Sequence, residues 1–309
     1  MSTAYYTDSV FALHDMGAGH PECPQRVGSV ESALTDSGLL PRLQARDVPD
    51  VMRDRLVLAH TEAHIDNVFS MAPQRGRVQI DPDTAMNEHS LAAALRAAGA
   101  LVAATDAVAN GEIANAFCNV RPPGHHAEPD RSMGFCLFSN VAIAALHAVN
   151  TLGFDRVAIV DFDVHHGNGT EHCVAHDDRI LFCSSFQFPF YPGSYLPSEP
   201  NKRVNVPLPA GTSGQEFRAA IEAHWIPAIQ DFAPQMIFIS AGFDAHREDP
   251  LAGLNLEDDD YQWVTERVCE LAQNFAQRRI VSGLEGGYAL SALGRSAALH
   301  VAALLDAGA

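Results

Sequence analysis

From about residue 90 onward the chain alternates between two hydrophobic spacings. In SLAAALRAAGALVAATDAV (90–108), SNVAIAALHAVNTL (139–152), QEFRAAIEAHWIPAIQDF (215–232), DDYQWVTERVCELAQNFAQ (259–277) and the segment from Leu290 onward, apolar residues recur three and four apart. That spacing predicts helices with one buried face. Between them stand short β-branched and aromatic runs: ANAFCNV (114–120), RVAIV (156–160), RILFCSS (179–185), QMIFIS (235–240) and RIVSG (279–283). These runs predict strands. They are continuously apolar and do not alternate, so both faces are covered, as in a parallel sheet lying between helices. Patches rich in Pro and Gly (121–134, 189–214, 283–287) fall between the elements, where loops belong. No low-complexity linker or internal repeat interrupts the series, so residues 1–309 read as one α/β domain.

Composition narrows the setting. A formal charge of −18 argues against a general nucleic-acid binder, which needs a basic stripe. The most apolar segments carry Arg96 and Asp106, or Arg295 and His300, at helical spacing and read as amphipathic helices with no membrane span. The start, MSTAYYTDSVF, shows no basic region followed by an apolar block, so no secretory signal is visible. Six cysteines (23, 118, 136, 173, 183, 269) form no CxxC pair; a reduced, cytoplasmic chain is expected.

The polar clusters share one kind of place. RPPGHHA follows ANAFCNV, DFDVHHGNG ends RVAIV, AGFDAH ends QMIFIS and LEGGY ends RIVSG. Each lies at the carboxyl end of a predicted parallel strand, the edge where open α/β sheets bind ligands. If RVAIVDFDVH stays extended to its end, Asp161, Asp163 and His165 share one face and Phe162 and Val164 the other. Asp163 and His165 then lie about 7 Å apart at the backbone, near enough to hold one metal. Asp161, one step deeper, suits a supporting or buried-ion role. A third ligand must come from another strand, and Asp244 is the candidate. Two carboxylates and an imidazole with an open position fit catalytic zinc, and Fe²⁺ as well. Of the pair His125–His126 at most one suits the same ion; a neutral imidazole there is a natural general base. Tyr288, after a double-glycine turn, is placed to donate to a developing oxyanion.

HPECPQR (20–26), RPPGHHA (121–127), GFCLFSN (134–140), DFDVHHGNGT (161–170), SAGFDAHREDPLAG (240–253) and LEGGYAL (284–290) together resemble the zinc-dependent histone deacetylase superfamily, which includes the acetylpolyamine amidohydrolases. The motifs occur in that superfamily's order over nearly the whole chain. The resemblance implies an arginase-like three-layer fold, a central eight-stranded parallel sheet flanked by helices, with a tunnel leading down to zinc. It implies one Zn²⁺ per chain on Asp163, His165 and Asp244. His126 is then the general base and later the acid, with His125 as its electrostatic partner and Tyr288 polarising the acyl carbonyl. Asp161 would orient His125 and, with Ser184, help to form a structural K⁺ site. Phe135 and Tyr191 would line a channel gripping an alkyl chain that passes close to Gly134, and Arg26 would sit near a product-exit pocket. The implied substrates are an acetylated lysine in a protein or peptide, or a small acylated amine.

Departures refine the resemblance. Asn168 stands beside the base where animal class I enzymes carry Asp, and EGGY and AGFDA also match the class II branch. A neutral amide stabilises the imidazolium form of His126 less than a carboxylate would. Leu251 follows Asp249–Pro250 where polyamine-selective members carry Glu, which favours acyl-lysine-type substrates. Glu88, on the loop that bears an acidic gatekeeper in acetylpolyamine hydrolases, keeps that alternative open. A catalytically inactive binding module would have to lack a ligand, the base or the tyrosine, and none is missing. A binuclear arginase-type site needs a DxHxD pattern that HHGNG replaces, and no GxSxG follows a predicted strand. The sequence is compatible with a homo-oligomer.

Overall fold

The structure, a computed structural model, describes residues 2–309. In chain order its strands are β1 (Thr3–Tyr6), β2 (Gln44–Arg46), β3 (Arg77–Gln79), β4 (Ala85–Asn87), β5 (Asn115–Cys118), β6 (Val157–Asp161), β7 (Ile180–Gln187), β8 (Arg203–Leu208), β9 (Ile237–Ala241) and β10 (Ile280–Leu284). The helices are α1 (Gln25–Asp36), α2 (Arg53–Leu56), α3 (Glu62–Met71), α4 (Ser90–Ala109), α5 (Asn140–Asn150), α6 (Asn168–Val174), α7 (Gly214–Phe232), α8 (Asp258–Phe275) and α9 (Leu290–Gly308). Eight strands form one sheet in the order β2-β1-β5-β10-β9-β6-β7-β8, and every pairing is parallel. β3 and β4 make a separate antiparallel hairpin.

Both faces of this sheet are buried, which explains the unbroken apolar runs. α4 and α5 cover one face through Ala97, Leu101, Ile143 and Leu146, meeting Phe182 and Phe238 of the sheet. α1, α7, α8 and α9 cover the other, where Trp225, Ile229, Val264 and Leu304 pack against Phe117, Leu181 and Ile239. The three-layer architecture is the one expected. α4 is long and apolar enough to cross a membrane, but its alanines close against the sheet as core. The capping box of Ser213 and Glu216 starts α7, since each side chain accepts from the other's backbone N–H.

Three strands of the sheet, β1, β2 and β8, and both strands of the β3–β4 hairpin lie outside the sequence reading. β2 is three residues on an edge, largely exposed. β8 lies inside the Pro-rich stretch 189–214 taken for loop, and it occupies the opposite edge, where Pro207 needs no ladder partner on one side. The run RVAIVDFDVH also does not remain a strand: β6 ends at Asp161. There Asp161 Oδ1 accepts from Asp163 N (3.1 Å) and Asp163 Oδ1 from His165 N (2.9 Å). Two successive side-chain turns of this kind compete with the ladder and bend the chain. Phe162 and Val164 still enter the core below.

Candidate active site

The four motif loops leave β5, β10, β9 and β6, which are adjacent in the middle of the sheet. Their carboxyl ends therefore converge on one place. Asp163 Oδ1 lies 3.0 Å and Asp244 Oδ2 3.2 Å from His165 Nδ1, and ligand atoms of all three residues lie within 4.8 Å of one another. Asp244 Oδ1 accepts from Val164 N (2.9 Å), while its Oδ2 has no hydrogen-bond donor although fully buried. Asp163 Oδ2 accepts from Gly286 N (2.8 Å). A Cβ on Gly286 would sit 2.1 Å from Asp244 Oδ2 and 2.6 Å from Asp163 Oδ2, so the glycine backbone forms one wall of this cradle. Two buried carboxylates, one of them with an unmatched oxygen, and one imidazole form a site whose charge a divalent cation would balance. Asp244 shows the strain: burial and the Asp163 charge push its carboxyl up to about 7. The residues present fit a mononuclear metal.

The His125 and His126 rings lie with centroids 4.0 Å apart and tilted by 43°, yet their surroundings differ. His125 Nδ1 meets Asp161 Oδ2 at 3.0 Å, and its Nε2 lies 3.7 Å from Asp163 Oδ2. Burial disfavours its charge, but the carboxylates of Asp163 and Asp161 outweigh that and hold it protonated well above the ordinary histidine range. His126 is the reverse. Burial, with His125 and His165 alongside, keeps it neutral well below that range. Its Nδ1 is 2.7 Å from Asn168 Oδ1, which leaves Nε2 as the free nitrogen. Gly167 and Gly134 make this possible: a Cβ on the first would meet Asp161 Oδ2 at 2.2 Å, and on the second the His126 ring at 2.5 Å. Gly134 thus makes room for the imidazole, where the sequence suggested only room for a passing substrate.

A cavity of about 220 Å³ opens above, lined by Asp83, His126, Gly134, Phe135, His165, Tyr191, Leu251 and Tyr288. It is smaller than the roughly 300–1,000 Å³ usual for ligand pockets, so it admits a slender chain. Phe135 is half-buried in its wall and meets the Tyr288 ring edge-on at 5.9 Å. It holds φ at 68°, a rare conformation for an aromatic residue, and Thr84 Oγ1 accepts from its N–H (3.0 Å). Tyr191 packs edge-on to His126 (5.0 Å) and His165 (6.0 Å). Burial raises the Tyr288 phenol well above 10, as do the charges of Asp244 and Asp163, so it stays a donor. Glu88 is exposed and lines none of this cavity; the carboxylate in its wall is that of Asp83.

Arg26 lies behind Tyr288, its guanidinium 5.0 Å from the ring centroid. It donates to the carbonyls of Gly287 (2.7 Å) and Glu285 and to Glu22 Oε1 (3.1 Å), bracing the EGGY turn. Ser184 stands in register with Asp161 on the neighbouring strand, and its hydroxyl is 3.2 Å from His166 Nδ1. Glu285, Asp249 and Asp83 went unnoticed in the sequence. Glu285 accepts from the backbone of Gly124 (2.6 Å) and His125 (3.2 Å) and from Ser240 (3.1 Å), and burial pushes its carboxyl to about 7. Asp249 accepts from Tyr288 N (2.7 Å) and Ala289 N (3.1 Å). Asp83 accepts from Gly134 N (3.1 Å). An acid that closes a buried apolar strand was a usable signal for Glu285, as it was for Asp161.

A three-residue candidate metal cluster at the carboxyl edge of a parallel sheet, with a neutral imidazole and a phenol beside it on one cavity, is the kind of donor set a mononuclear metallohydrolase uses. Comparison with known proteins gives the family. Residues 20–304 match the model of the histone deacetylase domain, and the chain belongs to that family. It is 37% identical over 278 residues to the histone deacetylase-like amidohydrolase of Pseudomonas aeruginosa, covering 88% of this chain and 73% of that one. It is 35% identical over 298 residues to a probable deacetylase of Archaeoglobus fulgidus, covering 94% and 82% respectively. Among solved structures it superposes on the HDA15 HD domain with a TM-score of 0.93 at 33% identity, over 99% of this chain and 88% of that chain.

Proposed function

We propose that the protein hydrolyses the amide of an acyl-lysine-type side chain, releasing acetate or another short acid and the free amine. One observation carries the reading: the candidate metal cluster, the neutral His126 and the Tyr288 phenol meet at one cavity of about 220 Å³, a volume that suits a slender side chain. Asp163, His165 and Asp244 would hold one Zn²⁺, which polarises a carbonyl and lowers the pKa of a water. The Nε2 of His126 takes a proton from the attacking water and returns it to the departing amine nitrogen. Being neutral, with Nδ1 bonded to Asn168, His126 has its Nε2 lone pair open to accept that proton. Tyr288 donates its O–H to the oxygen that becomes negative. The His125 imidazolium, held by Asp161, offsets the charge of Asp163 beside it. Phe135, Tyr191 and Leu251 flank the methylenes and exclude water, while Gly134 keeps the wall thin over His126.

Family membership is matched by acylated lysines or amines as the substrate class. Asp83 in the cavity wall favours a second reading, deacetylation of a cationic polyamine, whereas the apolar Leu251 favours acyl-lysine. The deciding experiment compares acetate release from an acetyl-lysine peptide and from acetylated polyamines by the zinc-loaded protein. A faster polyamine reaction would transfer the proposal to that substrate. A structural K⁺ near Asp161 and Ser184, an exit path beside Arg26 and a reducing, cytoplasmic location belong to the same proposal; all six cysteines are free thiols. Potassium-dependent thermal stability is the check on the first of these.

A further inference from the structure

Glu128 is buried, follows the GHHA motif directly, and has no part in the steps above. We infer that Glu128 is a positioning residue: it fixes which edge of the Asn168 amide meets His126, and so which ring nitrogen of His126 carries the proton. The catalytic consequence rests on the deacylase reading; the orientation does not.

The loop that carries the two histidines lies against the first turn of α6. Thr170 N donates to His125 O (3.0 Å), and a Cβ on Gly169 would meet Ala127 O at 2.3 Å, so only a glycine lets the loop pass. His126 and Glu128, two residues apart on the loop, therefore both reach Asn168. Asn168 and His172 are four apart on α6 and share one face. The Glu128 carboxylate spans that face: Oε1 accepts from Asn168 Nδ2 (2.5 Å) and Oε2 from His172 Nδ1 (2.5 Å).

An ionised carboxylate only accepts, so Asn168 must turn its NH₂ toward Glu128 and its carbonyl toward His126. Reversing the amide would set two oxygens together at the 2.5 Å separation and give His126 an N–H to accept. His126 would then carry its proton on Nε2, the nitrogen the reaction needs free. With the observed orientation the proton is on Nδ1, bonded to Asn168 at 2.7 Å. A lone asparagine has no such preference, because its two edges have nearly the same shape.

The test uses zinc-loaded protein labelled with ¹⁵N-histidine, whose long-range ¹H–¹⁵N spectra report the His126 tautomer, alongside kcat and KM on an acetyl-lysine peptide. Wild type should show Nδ1–H alone. Glu128→Leu should show a mixture of tautomers, with kcat lower by roughly 10–100-fold, the range for groups that support a site from behind, and KM within about twofold. Adding Asn168→Asp to that variant should restore Nδ1–H and at least about tenfold in kcat, because a carboxylate has no wrong edge to present. A merely space-filling Glu128 would give a double variant no faster than the single one, which overturns the proposal. So would an unchanged tautomer in Glu128→Leu. If that variant does not fold, the wild-type spectrum still decides, since a resident Nε2–H refutes the orientation. A wild type inert on every acyl-amine but with the expected tautomers would sink the deacylase reading and sustain this one.

Discussion

Gly286→Ala offers the sharpest test of the metal cradle. Gly286 does not hold a positive φ, so alanine brings no backbone strain, only a methyl group. That methyl would lie 2.1 Å from Asp244 Oδ2 and 2.6 Å from Asp163 Oδ2, where ordinary contact begins at 3.4 Å. The two oxygens must therefore retreat by about 1.3 and 0.8 Å, against a tolerance of roughly 0.2 Å in metal–ligand distance. Neither carboxylate is free to follow. Asp163 is tied to His165 N and Gly286 N, and Asp244 to Val164 N. One ligand should be lost, weakening zinc binding by at least about 100-fold, or about 2.8 kcal/mol at 1.4 per decade. Titrating metal-free protein with zinc against a chromophoric chelator measures this. A thermal melt of the metal-free variant confirms that it is folded. A folded Gly286→Ala protein whose zinc affinity stays within threefold of wild type would refute the assignment of Asp163 and Asp244 to the ion.

Other substitutions separate the remaining parts. Tyr288→Phe should retain zinc and lose about 10²–10³ in kcat, the usual effect of removing an oxyanion donor; unchanged kcat would exclude the phenol from that role. Gly169→Ala pushes a methyl into the backbone of Ala127 (2.3 Å) and should displace His126, costing on the order of 10²-fold in kcat with zinc retained, as steady-state kinetics and metal analysis would show. Glu22, buried with Arg26 and Arg121, opposes its desolvation through the Arg121 charge and holds its carboxyl well below 4.5. A depressed carboxyl stabilises the fold above its unfolded pKa, and that stability is lost as pH falls below about 4.5 toward the folded value. Glu22→Gln should lose about 3–5 kcal/mol at pH 7 and flatten this acid limb in urea unfolding measured across pH. Phe162→Ala, beneath the metal loop, should cost about 3–5 kcal/mol by the same assay.

The central strands were legible because burial on both faces leaves an unbroken apolar run, as in VAIVD and IFISA. The edges were not. Gln44–Arg46 is short and polar because solvent takes part of its surface, and β8 hides its pairing in a proline-rich stretch. The ligand residues were readable since buried Asp and His at the end of an apolar strand demand an explanation. Glu128, Asp249 and Glu285 were harder, because what they hold is mostly backbone N–H groups or distant amides, brought near only by loop geometry. Local pattern also misjudged the path after Asp161, where side-chain acceptors end the strand sooner than hydrophobic alternation implies.

The place of β10 in the sheet has a consequence for synthesis. It joins two groups of strands, β2-β1-β5 and β9-β6-β7-β8, that share no other ladder. His125 and His126 follow the first group, and all three metal ligands follow the second. While a ribosome has yet to release residues 280–284, the nascent chain holds its acid–base apparatus and its metal-binding residues on separate half-sheets. Gly286, the donor that steadies Asp163, arrives with the same late strand. Hydrolytic competence should therefore appear in one step, once residues 280–288 have emerged, however early zinc is offered.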